Sequence, residues 1–134
     1  FMTKEEHVKH WQKSANESWD SAVFLASGKH YALALFALHL TLEKLLKALW
    51  IKESFTDTPP YTHDLQKLCN ELKLEIADED YDFLAIVNSW NIRGRYPDYT
   101  NRLYQNTSGK YLKEQIEKVN ELKKWLEEKI LNQK

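Results

Sequence analysis

Hydrophobic residues recur every three or four positions along most of this chain, which is the spacing of one face of an α-helix. The first stripe follows Thr3 and Glu6, whose spacing is that of a capping box at a helix start. Gly28 is placed to end this helix in the left-handed conformation. The residues of the stripe are Val8, Trp11, Ala15, Trp19, Ala22 and Leu25 or Ala26.

A second helix is predicted from about Tyr31 to about Glu53. Its first half is apolar on nearly every side, so we expect it at the centre of a helical bundle. Glu43 and Lys47 lie in its amphipathic second half, four residues apart and in the order that favours a helical ion pair. Pro59 and Pro60 then prevent the helix from continuing.

Three further segments keep the helical period. A short third helix contains Leu65, Leu68 and Leu72, with Thr62, His63 or Asp64 as its cap. A fourth helix runs from about Asp78 to about Trp90, and its apolar stripe consists of Tyr81, Leu84, Ala85 and Val87 or Asn88. The last helix begins near Ser108 and contains Leu112, Ile116, Val119, Leu122 or Lys123, Leu126 and Ile130. No stretch alternates with the period of a strand. We therefore expect an all-α, antiparallel up-and-down bundle of about five helices, forming a single domain over residues 3–134.

Composition narrows the classes of function. The formal charge of -1 argues against broad, non-specific binding of nucleic acid through a basic face. The single cysteine, Cys69, excludes an internal disulfide and suits a reducing compartment, and its apolar surroundings predict a buried, inert thiol. The most apolar run, residues 31–42, is too short to span a membrane. We expect a cytoplasmic protein.

The histidines offer little catalytic or metal chemistry. His7 and His10 have the i, i+3 spacing that could present two ligands to one ion, but no third ligand is evident, so we expect a solvated helix face and no metal. His39 is interpreted as a core histidine with a satisfied hydrogen bond, and His63 as a helix cap. Neither a glycine-rich phosphate loop nor a nucleophile motif is present, and we predict no cofactor and no catalytic residue.

One segment differs from the rest of the chain: NIRGRYPDY, residues 91–99. The three arginines of the protein, Arg93, Arg95 and Arg102, lie within ten residues. A guanidinium group presents the planar pair of donors that suits phosphate or carboxylate. Gly94 permits an unusual backbone angle, and Pro97 predicts an exit from the helix.

The side chains that follow the arginines add to this picture. Asp98 could orient an arginine, while Tyr96 and Tyr99 could stack on a base or pack at a subunit contact. The same residues equally favour a helix terminator whose arginines pair with acidic residues of neighbouring helices. The sequence alone does not favour either interpretation, a binding segment or a structural helix terminator, over the other.

Three segments together resemble the HEPN family, the higher eukaryotes and prokaryotes nucleotide-binding domains. LEKLLKALW at residues 42–50 resembles a signature on the family's second helix, and THDLQKL at 62–68 resembles the entry into its third helix. RYPDY at 95–99 is similar to a feature of one branch of the family. Their order and separation match over nearly the whole chain.

The resemblance implies an up-and-down helical bundle that commonly forms homodimers. It also implies a minimal nucleotidyltransferase as partner, as in toxin–antitoxin or related systems. Many members are metal-independent endoribonucleases that use an arginine followed, after four to six residues, by a histidine. Here no histidine occurs after His63, so that motif is absent and we expect no enzymatic activity of this type.

The resemblance also implies where a ligand would bind. Glu43 and Lys47 match the second-helix signature, and Arg95, Tyr96 and Asp98 match the RYPD segment, with Arg93 before it and Tyr99 after it. We predict a non-catalytic module that binds a nucleotide or the phosphates of RNA. The alternatives are a degenerate metal-independent endoribonuclease with another base, and a pure interaction adaptor.

Overall fold

The helices of the chain pack as an all-α bundle. The computed structural model describes residues 2–54, 56–95 and 109–132, and only the backbone of residues 92–95. These ranges contain five helices and no strand: α1 (Lys4–Ser27), α2 (Tyr31–Glu53), α3 (Leu65–Leu72), α4 (Asp78–Arg95) and α5 (Gly109–Leu131). The expected fold class is confirmed.

The central position predicted for α2 is also confirmed. Each of the other four helices packs against it. Leu38, Leu42 and Leu45 have no exposed surface, and most of the remaining α2 side chains are buried as well. Because most of α2 is covered, a polar residue on its buried surface is expected to find its partner inside the protein.

Long lysine side chains tie the ends of the bundle together and show the directions of the helices. Lys4 Nζ, at the start of α1, donates to the carbonyl of Ser54 just after α2, at 2.6 Å. Lys52 Nζ, at the end of α2, donates to the carbonyl of Lys129 at the end of α5, at 2.9 Å. α1 therefore runs antiparallel to α2, and α5 runs parallel to it.

The capping box predicted for α1 is confirmed, but the left-handed residue at its other end lies one position later than expected. Glu6 N donates to Thr3 Oγ1 at 3.1 Å. Gly28 has a φ of −86°, whereas Lys29 has a φ of 63°. Lys29 N–H donates to Ala26 O, and His30 N–H donates to Leu25 O. These two hydrogen bonds form the Schellman arrangement. In that motif the left-handed residue is the one after the C-cap, here Lys29.

The predicted end of α4 near Trp90 is wrong, because the helix continues through Arg95. Gly94 lies inside the helix and takes no unusual backbone angle, while Pro97 lies outside the described residues. A glycine within a helix costs only about 1 kcal/mol relative to alanine. Burial of Trp90 and Asn91 in the preceding turn offsets a cost of that size.

The buried face of α4 differs from the predicted stripe at positions 83 and 85. Ala85, which the periodicity places on it, is exposed, whereas Phe83 is buried together with Leu84 and Val87. Alanine has too little surface to decide which side of a helix turns inward, and the aromatic ring decides it instead.

Large apolar side chains also occur on the surface. Phe24 is 77% exposed near the end of α1, with Val23 beside it and Leu33 exposed in the first turn of α2. These residues lie at the same end of the α1–α2 hairpin. Within the described ranges, no helix has both the length and the apolar character that crossing a bilayer requires.

Candidate functional site

A buried carboxylate lies at the middle of α2. Glu43 is 5% exposed, and both of its oxygens are engaged. Oε2 accepts a hydrogen bond from Lys47 Nζ at 3.0 Å, and Oε1 accepts one from His63 Nδ1 at 2.9 Å. The predicted Glu43–Lys47 ion pair is thus confirmed, but it is a buried pair and not a surface pair.

The ammonium group of Lys47 is also enclosed. The residue is 7% exposed, and its Nζ lies 5.7 Å from the ring centroid of Trp11 on α1. A cation at this distance from an indole is attracted by the electrons of the ring. Lys47 is therefore held between a carboxylate on its own helix and an aromatic ring on α1.

His39 is fully buried one turn before Glu43. Its Nε2–H donates to the backbone carbonyl of His63 at 2.9 Å, which fixes the tautomer because a carbonyl can only accept. Its Nδ1 has no hydrogen-bond partner and lies 3.7 Å from Glu43 Oε1, too far for a hydrogen bond. The expected core histidine is therefore satisfied at one nitrogen only.

Burial sets the protonation of His39. Desolvation of the charged form lowers its pKa below 6.5, and the hydrogen bond to the His63 carbonyl and the charge of Glu43 counteract only part of this effect. His39 is therefore neutral at pH 7. His39 therefore adds no second buried cation beside the Glu43–Lys47 pair.

The loop that carries His63 is fixed where α3 begins. His63 does not cap this helix; the cap is Asp64, whose Oδ1 accepts hydrogen bonds from two backbone amides of the first turn. Asn88 of α4 donates to Asp64 Oδ1 at 2.9 Å and accepts from the backbone amide of Leu65 at 2.9 Å. The loop is thus attached to α2 through His39 and to α4 through Asn88.

The structure brings together two of the predicted site residues, Glu43 and Lys47. Glu43 and Lys47 form one cluster with His39 and His63, neither of which was a predicted site residue. Arg93 and Arg95 lie on the last turn of α4, of which the structure describes the backbone. The remaining candidates, Tyr96, Asp98 and Tyr99, lie outside the described residues, as does Arg102.

One signal in the sequence points to a missed histidine. His39 and Glu43 have the i, i+4 spacing of side chains that meet on a helix. His63 lies next to Asp64 at a predicted helix start, which makes a capping role the simpler interpretation. Only the packing of the loop against α2 distinguishes a histidine that caps from one that binds a buried carboxylate.

The other titratable groups form no comparable cluster within the described ranges. His7 Nε2 lies 3.2 Å from Asp57 Oδ2, and both side chains are partly exposed. Burial raises the pKa of the Cys69 thiol to about 11, so the thiol stays protonated and unreactive at neutral pH. Among the residues that the structure describes, no group of three or more histidine, cysteine or acidic side chains is arranged to hold a metal ion.

The burial of the Glu43–Lys47 pair predicts how substitutions of the two residues change the free energy of unfolding. Glu43→Gln alone leaves a buried ammonium group without its anion, and Lys47→Met alone leaves a buried carboxylate, so each change should cost about 3–5 kcal/mol. The double variant removes both charges and should be clearly more stable than either single variant. Chemical denaturation of the four proteins gives the coupling free energy. Additive losses would show that the two charges do not depend on each other.

The lowered pKa of His39 makes a prediction about pH. The unfolded chain takes up a proton near pH 6.5, whereas the folded protein resists protonation to a lower pH. The contribution of His39 to stability is therefore complete above pH 6.5 and is lost as the pH falls below it. His39→Gln keeps a donor for the His63 carbonyl and does not titrate. Its free energy of unfolding should fall less between pH 7.5 and 5.5 than that of the wild type; an equal fall would contradict this assignment.

Comparison with known proteins agrees with the helical architecture. No curated protein matches the chain. The crystal structure of TT1696 from Thermus thermophilus is similar, with a TM-score of 0.77 and 20% sequence identity over 91% of this chain and 97% of that one. At this identity the likeness concerns the fold alone. The HEPN domain family matches residues 8–129, which include all four members of the Glu43 cluster, and the chain therefore belongs to the HEPN domain family.

Proposed function

We propose that this chain is a HEPN domain of the RYPD-containing branch and a non-catalytic module that binds the phosphate of a nucleotide or of RNA. One observation carries the proposal. α4 continues as a helix through Arg93 and Arg95, and Asn88 joins the same helix to the loop that places His63 on Glu43. The arginine-bearing turn and the Glu43 cluster therefore belong to one connected unit of the fold.

Helical register assigns different roles to the two arginines. Positions 93 and 95 are about 200° apart around the axis of α4, so one phosphate is not expected to bind both from the same side. Position 95 follows the buried Asn91 by one turn, whereas position 93 follows the half-exposed Ile86 by two turns. We assign a mainly structural role to Arg95 and ligand binding to Arg93, with Tyr96 or Tyr99 stacking on the base and Asp98 orienting an arginine.

The proposed partners rest on family membership and on one surface feature. We propose a homodimer, and as a further partner a minimal nucleotidyltransferase in a toxin–antitoxin or related system. The exposed apolar group of Val23, Phe24 and Leu33 supports a subunit contact, because such side chains are more often covered in an assembly. The tryptophans in the described ranges do not enlarge this exposed apolar group, since each of them is buried or partly buried.

Two alternatives belong to other classes of function. In a degenerate metal-independent endoribonuclease, RNA would be cleaved in metal-free buffer and cleavage would be lost on Arg93→Ala. In a pure adaptor, the arginines would be structural and no nucleotide would bind. The binding module is favoured over the enzyme because the arginine–histidine motif of the family's ribonucleases is absent.

Arginine variants test the proposed binding role. Arg93→Ala should weaken nucleotide binding roughly tenfold or more, since a charge-assisted hydrogen bond contributes about 1.5–3 kcal/mol. Its melting temperature without ligand should change little. Arg95→Lys keeps the charge but loses the planar pair of donors, so it should lower the melting temperature with or without nucleotide. Thermal-shift titrations against a panel of nucleotides measure both properties.

The matched control is Lys110→Ala, which removes an exposed cation from the first turn of α5. It should change neither property. If Arg93→Ala melts lower but binds every tested nucleotide as the wild type does, the division of roles between the arginines is wrong. If the wild type binds none of them, the adaptor is favoured.

Light scattering tests the proposed dimer. One chain has a mass of 15.9 kDa, and at micromolar concentration the protein should have twice this mass. Phe24→Glu places a charge in the exposed apolar group and should shift the equilibrium toward the monomer, without lowering stability, because position 24 is not part of the core. A wild-type monomer at this concentration would overturn the proposal.

A further inference from the structure

α4 and α5 lie side by side on α2. Both helices pack against α2, whereas the described parts of α4 and α5 are not packed against each other. A long side chain bridges them, because Lys118 Nζ of α5 lies 5.6 Å from the ring centroid of Phe83 on α4. The space between the two helices is therefore a groove whose floor is α2.

The two helices run in opposite directions along this groove. Asn88, late in α4, bonds to Leu65 at the start of α3, whereas Tyr81, early in α4, bonds to Asn70 near the end of α3, so α4 is antiparallel to α3. α3 is parallel to α2, because its start is bonded to the middle of α2 and its last residue lines the same cavity as Leu49. Since α5 is also parallel to α2, α4 and α5 are antiparallel.

This arrangement determines which residues face each other across the groove. Phe83, Ile86 and Trp90 recur at the spacing of one side of α4. With Phe83 opposite Lys118, the next turns of α4 lie opposite the turn of α5 that precedes Lys118. That turn carries Gln115, which is three positions before Lys118 and therefore on the same side of α5.

Each side of the groove carries a buried polar side chain without a hydrogen-bond partner among the described residues. Gln115 on α5 is 5% exposed, and its side-chain amide makes no hydrogen bond there. Trp90 on α4 is fully buried, and its Nε1–H has no acceptor. Buried polar groups in folded proteins are nearly always paired. Two exceptions facing one groove indicate that this place serves polar recognition in addition to packing.

The side chains along the groove suit the base of a nucleotide. The amide of Gln115 has a carbonyl that accepts and an N–H that donates, and this pair matches the N6 amine and the N7 of adenine. Ile86 is 50% exposed and offers an apolar surface to a planar base. Lys118, which already lies over the ring of Phe83, can lie over a base in the same way.

The groove also leads to the position that we assign to phosphate binding. Position 93 follows Ile86 by two turns on the same side of α4, about 10 Å along the helix axis. A nucleotide whose base lies beside Gln115 can therefore extend its phosphate toward the last turn of α4.

We propose that the ligand is an adenine nucleotide whose base lies in the groove between α4 and α5, where the amide of Gln115 binds its N6 and N7 edge. The inference rests on the proposed function and adds to it the identity of the base and a binding residue on α5. Gln115 contacts the base, whereas Trp90 has no exposed surface and is assigned no contact with the ligand.

The main variant is Gln115→Leu, which removes the amide and keeps a side chain of similar size. It should bind AMP roughly tenfold more weakly than the wild type, because the paired hydrogen bonds to the base are lost. Its melting temperature without ligand should stay the same or rise, since an apolar group replaces a buried amide that has no partner. Titration calorimetry and thermal melting measure the two properties.

A change in the ligand tests the same contact from the other side. Purine riboside 5′-monophosphate differs from AMP by the loss of the N6 amine. The wild type should bind it more weakly than AMP, whereas Gln115→Leu should bind the two equally. Among AMP, GMP, CMP and UMP, the wild type should bind AMP most tightly.

The matched control is Asn120→Leu, which also replaces an amide of α5 by leucine. Position 120 is five residues after Gln115 and therefore lies on another side of the helix. This variant should bind AMP as the wild type does.

The outcomes distinguish this inference from the proposed function. If Gln115→Leu binds AMP as the wild type does while Arg93→Ala binds it more weakly, the role of Gln115 is overturned and the proposed function stands. If Gln115→Leu melts lower and loses affinity for AMP and purine riboside 5′-monophosphate by the same factor, the glutamine acts through the fold and the inference is wrong. If the wild type binds all four nucleotides equally, the assignment of adenine is wrong. If it binds none of them, the proposed function fails and the inference fails with it.

Discussion

The ion pair between Glu43 and Lys47 constrains the rest of this structure more than any other interaction in the part of the chain that it describes. Two charges lie on the most deeply buried helix, where each would be strongly destabilising without the other. Their burial requires that α1 cover Lys47 with Trp11 and that the loop before α3 bring His63 to Glu43. The positions of three elements are thereby linked to one pair of side chains.

The same constraint affects the loop before α3. His63 is carried by a loop, yet that loop is bonded to α2 through its backbone and to α4 through Asn88. The contact of His63 with the buried carboxylate of Glu43 therefore depends on a loop that α2 and α4 hold in place.

The arginine segment shows how a local signal can be misinterpreted. Glycine and proline close together indicate the end of a helix, and this pattern predicts that α4 stops near Trp90. The helix instead continues through Gly94, because burial of Trp90 and Asn91 stabilises the turn before the glycine. This changes the expected geometry of the segment: positions 93 and 95 lie on a helical backbone and not along an extended stretch of chain.

Periodicity was sufficient to predict the helices, because burial of one apolar face is a property of the local sequence. Periodicity gave the bounds of α2, and the spacing of polar residues gave the capping box at Thr3 and the Glu43–Lys47 pair. It did not show that this pair is buried, since the covering residues come from α1 and from the loop before α3. The sequence also left Thr62, His63 and Asp64 as alternatives for the cap of α3, because neighbouring polar residues at a helix start are equivalent in sequence, and the structure shows that the cap is Asp64. The sequence therefore determined which segments are helices. The tertiary structure alone decided that the imidazole of His63 meets the carboxylate of Glu43 on α2, because that contact depends on how the loop before α3 packs.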